Sequence, residues 1–97
     1  MSASFDHLPL VREFAAIRRG EHPAWKGDHT LNGEVYAWRL GYDFPIEAEG
    51  LAHDLEANES DFSDLTGLPP RSLQIMVNEI RRGAKAALRE AKAEGRL

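Results

Sequence analysis

Four histidines, His7, His22, His29 and His53, are the first place to look for metal or acid–base chemistry in this sequence. None stands in the HxxxH or HExxH spacing that puts two ligands on one helix face, so no metal site is expected. The run DFSDLTG from Asp61 begins like a calcium loop, but Leu65 and Thr66 stand where an oxygen ligand and a glycine are needed. No glycine-rich phosphate loop is present. Glu47, Glu49, Asp54 and Glu56 hold enough carboxylates for a general acid–base pair, yet acids along a helix face are ordinarily solvated. Trp25, Tyr36, Trp38 and Tyr42 have faces that can stack on nucleobases. With only eight aromatics in the chain, most of them are needed for a core. Neither an enzyme nor a cofactor is expected.

The 97 residues suffice for one domain and are too few for two separate cores. Hydrophobic residues at 42% and charged residues at 29% place the chain among globular rather than disordered proteins. The absence of cysteine excludes disulfide staples and thiolate metal sites and fits a reducing cytoplasm. No basic segment followed by an apolar run opens the sequence, so no signal peptide is expected. No apolar stretch approaches the roughly 20 residues that span a bilayer. A cytoplasmic protein without a membrane segment is the expectation.

Charge is distributed unevenly. Residues 1–70 carry five Lys/Arg against 13 Asp/Glu, and residues 71–97 carry seven against three, so a net −8 adjoins a net +4. Between Leu40 and Pro70 there is no Lys or Arg, but there are eight acids: Asp43, Glu47, Glu49, Asp54, Glu56, Glu59, Asp61 and Asp64. Such a split serves two surfaces with different partners, or one surface that neutralises its copy in an oligomer. Equally, it is the ordinary variation of solvated helix faces.

The periodicity is mostly helical. In FDHLPLVREFAAIRRG, Leu10, Phe14 and Ile17 recur at helical steps, with Asp6 as a cap and Gly20 as a left-handed stop. GEHPAWKGDHTLNG reads as a loop. The next stretch, TLNGEVYAWRLGYDFP, admits two readings. Asn32-Gly33 favours a tight turn, giving a short β-hairpin near 29–40. Alternatively Asn32 caps a short helix in which Leu31, Val35 and Trp38 pack inward and Gly41 ends the element; the helix is slightly favoured. DFPIEAEGLAHDLEAN then gives a helix with Pro45 in its first turn and Ala48, Leu51, Ala52 and Leu55 inward. ESDFSDLTG gives a short one with Asn58 or Ser60 as cap, Phe62 and Leu65 inward and Gly67 as exit. From Pro70 a long helix buries Leu73, Met76, Val77, Ile80, Ala84, Ala87 and Leu88 along one side, and Gly83 is a place where it can bend or end. The fold class is therefore mostly α: four to five helices around one core in a single domain, 1–97.

Residues 59–82 meet the physical needs of a helix-turn-helix. Phe62 and Ser63 supply an apolar and then a small residue where two helices cross, Gly67 tolerates positive φ in the turn, and Leu68 plugs it. Leu73 and Met76 then lie on the inner face of the second helix. With its LTGLP followed by a serine, a leucine and a valine at matching steps, the stretch resembles the helix-turn-helix superfamily of bacterial transcription regulators. The resemblance spans about twenty residues and singles out no one family. It implies a DNA reader: Arg71, Ser72, Gln74, Ile75 and Asn78 face outward to base edges, and Arg81, Arg82 and Lys85 hold phosphates. Ile75 reads a thymine methyl, anchors an interface, or packs on the N-terminal helix. Residues 83–97 form a basic helical extension.

The acids oppose that reading. Glu59, Asp61 and Asp64 belong to the first helix of the motif, which lies across the phosphate backbone in DNA complexes. The sequence pI of 5.5 is also low for a nucleic-acid binder. Two functions are thus expected in order: a small DNA-binding regulator, acting as a homodimer with the helix from Pro70 as reader, and an acidic protein-interaction module whose face from 43 to 64 engages a basic partner. An antiactivator or a phage or mobile-element accessory protein is the form the second would take.

Overall fold

The computed structural model describes residues 7–96, and Asp6, the expected first cap, lies outside them. Five helices follow in order: α1 (Leu8–Arg18), α2 (His29–Asp43), α3 (Pro45–Ala57), α4 (Glu59–Thr66) and α5 (Pro70–Ala93). No strand occurs among the described residues. All five contribute to one hydrophobic cluster or its edge, centred on Phe14, Ile17, Leu55, Phe62, Met76 and Ile80.

The hairpin reading of 29–40 is overturned: this segment is the helix α2. The deciding groups lie just upstream. Asp28 accepts a hydrogen bond from the Leu31 amide at 3.1 Å and so caps the helix four residues before Asn32. The Asn32 side chain instead donates to the Lys26 carbonyl at 2.8 Å, pinning the preceding loop. Gly33, read as half of a turn, sits in the helix where Phe14 and Arg18 of α1 press against it.

The inward face of α2 also differs from expectation. Gly33, Tyr36, Ala37 and Gly41 are buried, whereas Leu31 and Val35 are exposed. Small residues win because α2 crosses α5 closely. At Gly41 the α2 backbone meets the Ile80 carbonyl and the Ala84 amide, and at Gly83 the α5 backbone meets the Trp38 carbonyl and the Tyr42 amide. Neither glycine ends its helix; each makes room for the other element.

Helix α3 buries Ala48, Leu51, Ala52 and Leu55, the four positions its periodicity marks. In α4, Phe62 is buried as expected, but Leu65 is exposed and Thr66 takes the inward position. The Thr66 hydroxyl tolerates burial because it donates to the Phe62 carbonyl at 2.6 Å. Asn58 stands at the N-cap of α4 but gives no side-chain cap bond; its amide donates to the Asp54 carbonyl. Helix α5 does not end at Gly83 and runs 24 residues. It is the element on which α2, α3 and α4 all pack. Leu73, Met76, Val77 and Ile80 are buried there, and Leu88 is left exposed.

Candidate nucleic-acid interface

The corner between α4 and α5 is built from side chain-to-backbone bonds. Gly67 adopts φ +76°, and its amide bonds the Ser63 carbonyl at 2.8 Å. The Ser63 hydroxyl donates to the Leu68 carbonyl, and the Leu68 amide donates back to the Thr66 hydroxyl at 3.3 Å. Just past the end of α1, Arg19 donates to the Thr66 carbonyl at 2.7 Å. Leu68 is buried beneath this turn. Pro69 is extended, and Pro70 occupies the first turn of α5, where a missing N–H costs nothing.

The corner sets which side of α5 faces solvent. Arg71, Asn78, Arg82, Lys85, Arg89 and Lys92 are exposed and Gln74 is half-exposed, in steps of three and four residues. Those steps return to one face of a helix, so the seven form one row about 30 Å long by the helical rise. Five of them are cations and none is an acid. The acids of α5, Glu79 and Glu90, lie off the row, and Glu79 reaches across to pair with Arg82 at 3.0 Å. Gln74 and Asn78 hydrogen-bond each other at 3.1 Å, which holds both amides on the row.

Among the expected contact residues, Arg71, Gln74, Asn78, Arg82 and Lys85 are brought together on this face, and Ile75 is half-buried at its margin. Ser72 does not face outward. It is 5% exposed, and its hydroxyl accepts a bond from the Arg18 guanidinium at 3.3 Å. It lies where the start of α5 meets α1, so its place in the outward set is corrected. Arg81 is engaged within the protein. Its guanidinium donates four hydrogen bonds, two to Glu49 and two to Glu56, at 2.7 to 3.1 Å. These bonds hold both carboxyls below the ordinary glutamate range and hold the Arg81 guanidinium in its charged form.

Two contributors were not singled out from the sequence, although the signal was there. Arg89 and Lys92 continue the spacing of Arg82 and Lys85 by steps of four and three. Trp38, one of the four aromatics whose faces can stack on nucleobases, receives its place beside these cations only from the fold. The ring stacks on Tyr42 at 4.9 Å between centroids and lines a groove with Arg82, Lys85, Ala86 and Arg89. An aromatic face between three cations suits a phosphate-bearing or base-bearing ligand. On the other side of the corner, Asp61 and Asp64 of α4 are exposed.

No cluster of three or more His, Asp or Glu side chains among the described residues could hold a metal ion. No helix among them is long and apolar enough to cross a membrane. No family model, no curated protein sequence and no solved structure matches this chain. The described residues form an all-helical fold, and its exposed cationic row lies on α5.

Proposed function

We propose that the chain is a small DNA-binding regulator in which α4 and α5 act as a helix-turn-helix and α5 enters the major groove. The observation that carries this reading is the row from Arg71 to Lys92, cationic and amide-bearing along its length and free of acids. Amides and a guanidinium near the start of α5 are suited to base edges: Arg71 to guanine, and Gln74 and Asn78 to adenine. The cations further along, Arg82, Lys85, Arg89 and Lys92, are suited to phosphates, which supply affinity without sequence preference. The missing cysteines fit action in a reducing cytoplasm, and a palindromic site would be read by two copies.

The test is fluorescence anisotropy with a random-sequence duplex pool across a salt series. Binding at low salt that weakens as salt rises, with a linear slope in logarithms, is the expected result. No binding at any salt overturns the reading.

The acidic surface from 43 to 64 favours a second reading, in which it engages a basic protein. Three of its eight acids are already engaged, Glu49 and Glu56 by Arg81 and Asp54 by His7 at 2.8 Å, and of the rest Asp61 and Asp64 stand exposed on α4. A pull-down with a basic partner that survives loss of the α5 cations and fails on neutralising Asp61 and Asp64 would favour it.

A further inference from the structure

We infer that the surface around Trp38 takes an unpaired stretch of a DNA strand, with a base against the ring and phosphates on the cations beside it. The inference rests on the DNA reading and adds to it a preference for DNA that is locally single-stranded.

Trp38 borders two recesses of different character. One is cationic, lined by Arg82, Lys85, Ala86 and Arg89 as well as the ring. The other holds Leu31 and Val35, exposed by 55% and 38%, with Glu34 and Glu79 around them. Arg82, paired with Glu79 at 3.0 Å, lines both, so the two recesses adjoin. A nucleotide has the same two halves, a flat apolar base and an anionic phosphate. Glu34 and Glu79 would repel a phosphate but can accept from the N–H groups of an unpaired base. Lys85 and Arg89 suit the phosphate.

The ring is held ready for stacking. Tyr42 covers one face at 4.9 Å between centroids and 16° between planes, which fixes the plane of the indole. The backbone beneath it is seated on α5, where Gly83 meets the Trp38 carbonyl.

An unpaired strand fits better than a duplex or a free nucleotide. Bases inside a duplex are already stacked on both faces, and a half-buried ring cannot serve as a wedge that parts them. A base outside a duplex brings an open face to the indole. The cations also continue along α5 to Lys92, so successive phosphates of a strand find partners that a free nucleotide would leave unused.

Fluorescence anisotropy with a random-sequence single strand, run beside the duplex pool at one salt concentration, tests the inference. The wild-type protein is expected to bind both forms. In Trp38→Leu the ratio of single-strand to duplex affinity is expected to fall about tenfold, the size of one lost base–aromatic stack, with helical circular dichroism intact. Trp38→Phe keeps a ring and is expected to restore most of that ratio. An adenine analogue that dims on stacking, set in a thymine strand, is expected to lose emission on the wild-type protein, and decides the matter if Trp38→Leu fails to fold. Absent single-strand binding, an unchanged ratio in Trp38→Leu, or an analogue that keeps its emission overturns the inference and leaves the duplex reading standing. A wild-type protein that binds neither form removes both.

Discussion

Gly41 and Gly83 meet where α2 crosses α5, each seated against a carbonyl of the other helix: Gly41 against that of Ile80, Gly83 against that of Trp38. A methyl group on either glycine would land on backbone, which cannot rotate away as a side chain can. The contact is reciprocal, so a second substitution cannot relieve the first.

Alanine normally gains about 1 kcal/mol over glycine inside a helix. Overpacking usually costs about 1–3 kcal/mol even where side chains can shift. Gly83→Ala and Gly41→Ala are each expected to destabilise by about 3 kcal/mol or more, read as a lower urea midpoint. Gly50→Ala should do the reverse and stabilise by about 0.5–1 kcal/mol, because nothing lies near the added carbon. Equal effects at Gly50 and Gly83 would mean the crossing is looser than described.

The Arg81 clamp predicts an acid limb. Glu49 and Glu56 have folded values lowered chiefly by hydrogen bonds from Arg81. A lowered folded value gives stability that is present above the unfolded glutamate pKa, about 4.3, and lost as pH falls through the folded value. Arg81→Met should therefore flatten the fall in melting temperature on acidification and reduce its sensitivity to salt. All three groups are solvent-facing, so the effect at neutral pH is expected to be small. A variant as acid-sensitive as the wild type would sink this account.

For the DNA reading, positions early and late in α5 should behave differently. Gln74→Ala or Asn78→Ala is expected to cost about 1–3 kcal/mol on a preferred duplex and to relax one base position. Lys85→Ala or Arg89→Ala should weaken all duplexes alike and lower the salt slope by about one. Arg81→Ala should change duplex affinity least among the arginines of α5, because its guanidinium is held by two glutamates. Competition titrations across a mutated duplex panel would separate these patterns.

Asp61 and Asp64 give a prediction of opposite sign. If α4 lies along the phosphate backbone, Asp61→Asn with Asp64→Asn should strengthen binding to every duplex, most of all at low salt. Unchanged affinity in that double variant would place α4 away from the DNA.

Much of the helical layout was legible, because large apolar side chains at helical spacing carry it. The Ala48, Leu51, Ala52 and Leu55 set of α3 and the Leu73, Met76, Val77 and Ile80 set of α5 are buried as their periods indicate. Helix α2 misled because hydropathy favours Leu31 and Val35, while close approach to α5 selects Gly41, Ala37 and Gly33. Small size, rather than apolarity, chose the buried face. The candidate site was obscured for a different reason. Ser72 is claimed by Arg18, 54 residues away, and Arg81 by Glu49 and Glu56, 32 and 25 residues away. Spacing along α5 alone is blind to partners that only the tertiary fold delivers.

The two tryptophans occupy settings different enough to serve as separate optical reporters. Trp25 meets Tyr36 edge to face at 6.2 Å, and Tyr36 is itself part of the core. Its emission should follow the cooperative loss of structure. Trp38 stacks on Tyr42 beside Arg82, Lys85 and Arg89, so its emission should respond to any polyanion that enters that groove while the core stays intact. With Trp25→Phe, a ligand titration is read without an attached dye; with Trp38→Phe, an unfolding curve is read without interference from bound ligand.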